Sequence, residues 1–415
     1  MIRLATLLIV ASSIGLAQCL LAANEDSVKV AVAVPLSGPF GQVGEMVLAH
    51  SKLVVDSINA RGGVLAGRKI EIIPFDNKSS PQEALLMLQQ IADRGIRIIS
   101  YCCAAHVAVA LSEAIEKHNT REPDHPILLL LEGGDQDLTN EKCSFWTFAF
   151  LAKNEMFMQV LTNFIAQQSD VKRVYLINQD YLWGHQAQRF GREMLNRKRP
   201  DITIVGDDLH PLGKVKDFAP YVAKIRAAKP DVVVTANWGS DMVLLVKAAA
   251  DSGLNVPFYT YLGSIMGAAT AMGNTAADKV KSVWRWHPNL GIEKEQLARQ
   301  EYRKRYNLEY YSLTSTNLFE MLAKAINEAK STDPLRIGYA LEGLRIETST
   351  GSAWLRPDDH QIFEPLYIMT LTRVNGQDVK YDLEGTGIGT RTDARIEASD
   401  TIVSTRCEMK RPPKP

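Results

Sequence analysis

Polar and aromatic residues follow three predicted strands of this 415-residue chain, at the points where the strands end. The sequence reads "YCCAAH" at 101–106 after "IRIIS", "EGGDQ" at 132–136 after "PILLLL", and "NQDYLWG" at 178–184 after "RVYLI". Because the carboxyl ends of parallel strands meet at one edge of a sheet, we expect these residues to converge on one cleft. Their aromatic rings would give a ligand stacking surfaces, and the site residues expected among them are Tyr101, Tyr181, Trp183 and, from a later strand end, Trp238.

Residue types that could catalyse a reaction are present, but they do not form a catalytic pattern. The sequence contains neither a GxSxG elbow nor an HExxH motif. His106 near Cys103 could be drawn as a thiol–imidazole pair, and Asp135 could act as a base or contact ligand donors. No nucleophile, base and orienting group occur together. We therefore predict a protein that binds a ligand without turning it over and that needs no cofactor and no metal.

A glycine-rich loop, "PLSGPFGQVG" at 35–44, follows the apolar run "VKVAVAV". It lacks the Lys-Ser/Thr pair of a phosphate-binding loop, and "GPFGQVG" does not match GxGxxG. Asp76, at the end of the next predicted strand, would be the only sign of a ribose site. We interpret the loop as one wall of a ligand cleft, with Gln42 and Val43 nearest the ligand, while a purely structural turn is the alternative.

The elements that would position these residues follow a regular α/β pattern. Near-continuous apolar strands alternate with amphipathic helices, which predicts a parallel sheet covered on both faces. The same pattern starts again near residue 150, which predicts two lobes of similar plan. From about residue 385 the sequence is polar, and we expect a loose C-terminal extension over 385–415.

The charge balance indicates which kinds of partner the protein can bind, and the first residues indicate its cellular location. Lys plus Arg is 47 and Asp plus Glu is 47, so a nucleic-acid partner, which needs a basic face, is not expected. Residues 1–23 have a short basic start, an apolar stretch and small residues at the end, as a secretory signal peptide does. We expect export to the periplasm as a soluble protein and consider lipid anchoring at Cys19 the less favoured alternative.

Four cysteines remain after the predicted signal peptide: Cys102, Cys103, Cys143 and Cys407. Their spacing does not match a zinc site. In an oxidising compartment an even number favours disulfides, and either Cys102 or Cys103 with Cys143 is the expected pair, with Cys103–Cys143 as the specific prediction. Buried free thiols are the alternative.

A longer stretch resembles a known family. "VAVPLSGPFGQVGEMVLAHSKLVVDSINARGGVLAGRKIEIIPFDNKSSPQEA" is similar to the opening of type I periplasmic binding proteins of the branched-chain amino acid class, the leucine-binding-protein family. "INQDYLWG" and "RPDDHQIFEPLYI" resemble its second-lobe entry and final strand, and the resemblance covers about residues 27–375. It implies a Venus-flytrap fold of two doubly wound parallel-sheet lobes joined by a three-stranded hinge. The expected boundaries are 27–148 with 288–353 for lobe 1, and 149–287 with 354–384 for lobe 2.

The resemblance also implies a binding site and a role. It implies a monomeric substrate-binding protein of an ABC importer that captures a small solute by lobe closure and delivers it to permease subunits in the inner membrane. The family's carboxylate-binding hydroxyl corresponds to Ala104, with Ala105 next, and its small pair and Thr correspond to Gly133, Gly134 and Asp135. Its first-loop aromatic and its lobe-two acid correspond to Val43 and Leu262, whereas its lobe-two aromatics persist as Trp183 and Trp238.

These departures leave the ligand class open. An α-amino acid carries an ammonium group that must be compensated when it is buried, and Leu262 cannot do this, although Asp135 could. An aromatic or other organic acid, or a neutral amide, would also suit the aromatic residues. A ligand-sensing extracytoplasmic receptor domain for amides or aromatic acids, which shares the fold, is the alternative role.

Overall fold

The computed structural model of the chain describes residues 27–133, 135–265 and 267–415. The predicted signal peptide, Cys19 and Gly134 lie outside the described residues. The described part folds as a mixed α/β protein with two large sheets and one small sheet. No helix within these ranges has the length and apolar character that a membrane span requires.

The described strands and helices alternate through most of the chain. The strands are β1 (Val28–Val34), β2 (Ile70–Asp76), β3 (Ile98–Tyr101), β4 (Leu128–Leu131), β5 (Thr147–Ala149), β6 (Arg173–Gln179), β7 (Thr203–His210), β8 (Val232–Thr235), β9 (Phe258–Thr260), β10 (Val280–Trp284), β11 (Arg345–Thr348), β12 (Gly351–Leu355), β13 (Ile362–Phe363), β14 (Leu366–Arg373) and β15 (Ile388–Ile396). The helices are α1 (Gly41–Ala60), α2 (Pro81–Asp93), α3 (Ala105–Arg121), α4 (Asn154–Ala166), α5 (Leu182–Lys198), α6 (Ala219–Ala228), α7 (Gly239–Asp251), α8 (Ala268–Met272), α9 (Glu293–Tyr306), α10 (Ser315–Ala329) and α11 (Pro334–Leu341).

The first lobe is built on a five-stranded parallel sheet in the order β2-β1-β3-β4-β5. Every residue of β3 and β4 is buried, as expected for strands covered by helices on both faces. The chain order reverses between β1 and β3, and residues that follow such strands face a crevice at the sheet edge. This geometry brings the loops after β1, β3 and β4 together.

The second lobe is built on a seven-stranded sheet in the order β15-β14-β10-β9-β8-β6-β7. Strands β6 to β10 run parallel, whereas β14 and β15 are antiparallel additions at one edge. The small sheet β11-β12-β13 is antiparallel. Residues that follow β6, β8 and β9, namely Tyr181, Trp238 and Leu262, line one cavity together with residues of the first lobe.

The prediction of a loose extension after residue 385 is wrong for its first part. Strand β15 pairs with β14 along the full length of β14, from Leu366–Ile396 to Arg373–Ile388. Only the first three residues of β15 are buried throughout, and the rest, "RTDARI", are mostly polar and partly exposed because the strand lies at the sheet edge. An edge strand of this kind lacks the apolar run that identifies a buried strand in a sequence.

The predicted Cys103–Cys143 disulfide is also wrong. Cys102 is bonded to Cys103, and Cys143 is bonded to Cys407 from the C-terminal tail. The tail reaches Cys143 because it folds back along the first lobe, where the Thr405 hydroxyl donates to the Thr139 carbonyl at 2.7 Å. Cys102 and Cys103 are adjacent in the chain, and Cys103 has a positive φ of 102°.

The two lobes are connected by chain segments near residues 150–153, 285–292 and 364–365, before the tail. A buried ion pair, Arg285 with Glu364 at 2.8 Å, links two of these segments. Arg285 also donates to the carbonyls of Ser312 and Leu313, each at 3.1 Å. The polypeptide passes between the lobes once more at the tail, where the Cys143–Cys407 bond fixes it to the first lobe.

Removing the Cys143–Cys407 bond is expected to destabilise the protein. The bond joins residues 264 positions apart, and a crosslink that closes a long loop contributes about 2–4 kcal/mol, mainly by constraining the unfolded chain. The double variant Cys143→Ala/Cys407→Ala should therefore melt several degrees below the parent in a calorimetric scan. The matched control is Cys102→Ala/Cys103→Ala, which removes a bond that closes no long loop, and equal losses in both variants would contradict this explanation.

Candidate ligand-binding site

A cavity lies between the two lobes, at the carboxyl ends of the strands of both sheets. Its volume is about 70 Å³, which is room for more than a single water molecule. Both lobes and one connecting segment, at Leu151, contribute to its wall. The lining residues are Val43, Val47, Cys102, Cys103, Ala105, Glu132, Gly133, Leu151, Tyr181, Trp183, Trp238, Leu262, Trp284, Leu313 and Thr314.

Most of the residues predicted from the sequence lie in this wall, and several do not. The structure brings together Val43, Ala105, Gly133, Tyr181, Trp183, Trp238 and Leu262. Gln42 lies instead in a neighbouring surface groove at the edge of the interlobe space. Tyr101 and Ala104 are buried in the core of the first lobe, where the Tyr101 hydroxyl donates to the Ala104 carbonyl at 2.9 Å.

Asp135 is buried and does not line the cavity. Its Oδ1 accepts the Asp137 backbone N–H at 2.8 Å, so part of this carboxylate stabilises the local turn. Burial, followed by the nearby negative charge of Asp137, raises the pKa of Asp135 to about 7. Its Oδ2 is buried and has no hydrogen-bond partner among the described residues.

Asp76 holds the first loop in place by hydrogen bonds. This structural role accounts for Asp76 without a nucleotide-binding site. Asp76 accepts hydrogen bonds from the Leu36 N–H at 2.9 Å and from the Ser37 hydroxyl at 2.6 Å. Partial burial tends to raise the Asp76 pKa, but these hydrogen bonds outweigh it and the pKa is lowered. A Cβ at Gly44 would lie 1.7 Å from the Pro35 carbonyl oxygen, so only glycine allows α1 to start against the end of β1.

Tryptophan rings form the second-lobe side of the cavity. The Trp238 indole N–H donates to the Tyr181 hydroxyl at 2.8 Å, and the Trp183 indole N–H donates to the Ala236 carbonyl at 3.2 Å. Since both indole donors already have protein partners, the rings offer a ligand mainly their apolar surfaces. Phe40 of the first loop lies 4.7 Å from Trp238 between ring centroids, so the first loop contacts the second lobe at this ring.

Glu132 is the acidic side chain in the cavity wall, and it follows β4 directly. Its Oε1 accepts the Ser100 hydroxyl at 2.7 Å, and its Oε2 accepts the hydroxyls of Ser315 and Thr314. Burial raises the pKa of Glu132, and the three hydroxyl donors only partly oppose this. The sequence prediction missed Glu132 because it followed the family positions one to three residues later. Its place as the first charged residue after four buried leucines could have revealed it.

The cavity wall, as far as the structure describes it, contains no Arg, Lys or His side chain. An anionic ligand group would therefore depend on backbone N–H groups. Helices α3, α5 and α7 all begin at the cavity with no side-chain cap, and their preceding residues are Ala104, Tyr181 and Trp238. The first N–H groups of such helices lack partners within the helix and favour negative charge.

The remaining lining residues that the sequence prediction missed come from non-local parts of the chain. Val47 lies one turn after Val43 on α1, Leu151 lies on a segment that connects the lobes, and Trp284 is the last residue of β10. Leu313 and Thr314 directly precede α10. No local sequence signal places these residues beside β3 and β4, because their proximity depends on how the lobes pack. Within the described residues, no group of His, Cys, Asp and Glu could hold a metal ion.

Two parallel-sheet lobes that enclose a small cavity at their strand ends define a bilobed solute-binding protein. The sequence profile of the periplasmic binding protein family matches residues 27–378. The chain belongs to this family, which confirms the family and the type I fold predicted from the sequence. Family membership places it among proteins of the periplasm that bind solutes.

Individual proteins of known sequence or structure are similar to this chain over nearly its whole length. The Leu/Ile/Val-binding protein homolog 4 of Brucella abortus (strain 2308) is 28% identical over 400 residues, or 94% of each chain. A closed-conformation crystal structure of the leucine-, isoleucine-, valine-, threonine- and alanine-binding protein of Brucella ovis is similar with a TM-score of 0.82 and 26% identity, covering 94% of this chain and 100% of that one. A Rhodopseudomonas palustris BisB5 solute-binding protein in complex with 3,4-dihydroxybenzoic acid shares the fold, with a TM-score of 0.78 and 19% identity over 90% of this chain and 98% of that one.

Proposed function

We propose that this protein captures an apolar α-amino acid in the interlobe cavity and delivers it to the permease of an ABC importer. The observation that carries the proposal is Glu132, a buried carboxylate in a wall without cationic side chains. It can compensate the charge of the ligand's ammonium group from the first lobe. The second lobe has Leu262, which carries no charge, at the position that corresponds to the family's acidic residue. An unpaired buried charge would cost several kcal/mol, so this partner decides which ligands fit.

The rest of the cavity suits the other two parts of such a ligand. The uncapped start of α3, at Ala105, offers backbone N–H groups to the α-carboxylate. Trp183, Trp238 and Trp284, with Leu151 and Leu262, offer an apolar surface to the side chain. Closure of the lobes over the ligand would form the state that a permease recognises, because the ligand contacts both lobes only when they are closed.

The relatives support this ligand class. The matched Brucella proteins are named for binding leucine, isoleucine and valine, and one also for threonine and alanine. A soluble, monomeric periplasmic protein that hands its ligand to permease subunits, without chemical turnover, is part of the proposal. A ligand-sensing receptor domain for amides or aromatic acids, the alternative role, would not stimulate the ATPase of a reconstituted permease, which an importer component should do.

An aromatic carboxylate is the second candidate ligand. Solved proteins of the same fold were crystallised with 3,4-dihydroxybenzoic acid and with benzoate, and three tryptophans line this cavity. Such a ligand has no ammonium group, so Glu132 would have to be protonated beside it. The raised pKa of Glu132 makes that form more accessible than for an exposed glutamate.

A thermal-shift screen distinguishes the two ligand classes. We expect leucine, isoleucine, valine or phenylalanine to raise the melting temperature and benzoate, 4-hydroxybenzoate and 3,4-dihydroxybenzoate to leave it unchanged. A ligand at 100 times its dissociation constant adds about 2.7 kcal/mol to the stability of the folded state. Stabilisation by the benzoates alone would contradict the amino-acid assignment.

The affinity for an amino acid is expected to fall as the pH is lowered through the pKa of Glu132. In the free protein, burial raises this pKa, and an ammonium ligand lowers it again because it favours the ionised carboxylate. Binding therefore releases a proton below the free-protein pKa, and the dissociation constant rises by up to about tenfold per pH unit there. Isothermal titration calorimetry across a pH series measures this. A benzoate would show the opposite trend, with tighter binding at lower pH.

A further inference from the structure

We propose that the Cys102–Cys103 disulfide is a ligand-binding element of the cavity, and that the affinity for the ligand depends on its oxidised state. Both cysteines line the cavity, and they form one bonded unit between β3 and α3. The proposal deepens the proposed function, since it requires that the ligand binds in this cavity. It does not require that the ligand is an amino acid.

The disulfide lies directly before the start of α3. The Cys102 N–H donates to the Ala33 carbonyl at 3.1 Å, which ties the first cysteine to the end of β1. Cys103 has a φ of 102°, a conformation that a residue with a side chain rarely adopts. A bond between the two neighbouring side chains restricts the backbone at this point, and α3 starts only two residues later, at Ala105. The helix N–H groups nearest the cavity therefore depend on a turn that the disulfide constrains.

The same turn contacts the segment that carries Glu132. A Cβ at Gly133 would lie 3.0 Å from the Cys103 carbonyl oxygen, so the two backbones approach closely. Cys103 thus lies between the start of α3 and Glu132, the groups proposed for the two ends of the ligand. If the turn relaxes, the distance between these groups changes, and a preorganised site loses affinity when its groups must be ordered on binding.

The two bonded cysteines also form part of the wall that a ligand in the cavity would contact. The same cavity is lined from the second lobe by Tyr181, Trp183 and Trp238. Sulfur is polarisable and packs favourably against aromatic and apolar groups. A bonded pair presents this surface in one fixed arrangement, whereas two thiols rotate independently and carry S–H donors.

Reduction changes the turn by a balanced reaction. A dithiol such as dithiothreitol attacks one sulfur of the pair, the S–S bond breaks, and the dithiol ends as a cyclic disulfide. The protein gains two electrons and two protons and keeps Cys102 and Cys103 as thiols. Cys103 is then free to leave its positive φ.

The experiment compares three proteins by isothermal titration calorimetry, oxidised and after reduction by dithiothreitol confirmed by thiol counting. These are the parent, the Cys102→Ala/Cys103→Ala variant and the control Cys143→Ala/Cys407→Ala, whose bond lies outside the cavity. Leucine and benzoate are both titrated. We expect the oxidised parent and the control to bind alike, and both to lose about tenfold or more in affinity on reduction. The Cys102→Ala/Cys103→Ala variant should bind weakly throughout and not respond to dithiothreitol.

Unchanged affinity of the reduced control would overturn the proposal, and the control suffices if the Cys102→Ala/Cys103→Ala variant does not fold. A response to dithiothreitol that persists in Cys102→Ala/Cys103→Ala would also overturn it, because the Cys143–Cys407 bond would then be responsible. If benzoate binds in place of leucine, the amino-acid assignment fails, but the effect of reduction on benzoate affinity still tests the disulfide. The two failures are therefore distinguishable.

Discussion

Replacing Glu132 by glutamine is expected to weaken amino-acid binding by about 2–5 kcal/mol, the usual cost of removing one partner of a buried charge pair. This corresponds to roughly 30- to 4,000-fold in the dissociation constant. The amide keeps the size of the side chain and can still bond the hydroxyls of Ser100 and Ser315, so the fold should persist. Calorimetric titration with leucine measures the affinity, and circular dichroism checks the fold.

The matched control is Glu295→Gln. Glu295 is also a buried glutamate of the first lobe that accepts hydroxyl donors, from Tyr310 and Ser349, but it does not line the cavity. Its variant should keep the parent affinity within about threefold, the size of effect expected away from the site. Equal affinity losses in both variants would show that a general disturbance of the lobe, and not the lost charge at Glu132, reduces binding.

Replacing Arg285 by methionine is expected to lower the free energy of unfolding by about 3–5 kcal/mol, because it leaves a buried charge without its partner. Arg285 and Glu364 are 4% and 3% exposed, and they join two segments that connect the lobes. Without the guanidinium, Glu364 keeps only the Asn317 amide, which donates to it at 2.8 Å. Burial already raises the pKa of Glu364, and Arg285 opposes that effect. Urea unfolding followed by circular dichroism measures the change.

A double variant, Arg285→Met with Glu364→Leu, tests the reason for this loss. Replacing both charges by apolar groups of similar volume often costs little, whereas breaking the pair is expensive. We therefore expect the double variant to regain most of the stability lost by Arg285→Met. If both variants are equally unstable, the carbonyl partners of Arg285 at Ser312 and Leu313 matter more than its charge.

Local patterns in the sequence predicted the elements that local physics determines. "VKVAVAV" forms β1, with all but one residue buried, and Ser80 caps α2 by accepting the Glu83 N–H. These features depend on the period of apolar residues and on the orphan donors of a helix start. The resemblance to the family added the prediction that the two lobes are joined by a three-stranded hinge. Seven of the residues predicted for the site lie in the cavity wall because strand ends of parallel sheets converge.

The features that the sequence did not reveal depend on contacts between distant segments. Cys143 and Cys407 are 264 residues apart, and only the return of the tail along the first lobe brings them together. Strand β15 is an edge strand whose polar residues look like a loop. Glu132 is marked in the sequence only by its place as the first charged residue after β4, and its contact with Ser315, from α10, depends on how distant segments pack. Each of these features depends on contacts that form only in the tertiary structure.

The central claim, that Glu132 selects a ligand with an ammonium group, is tested most directly by one pair of calorimetric titrations at neutral pH. Leucine and 4-methylpentanoate share the apolar body and the carboxylate and differ only in the α-ammonium group. The structure predicts that leucine binds and that 4-methylpentanoate binds at least about 30-fold more weakly. The reason is that 4-methylpentanoate has no ammonium group to pair with the buried Glu132 carboxylate. Equal or tighter binding of 4-methylpentanoate would contradict the claim.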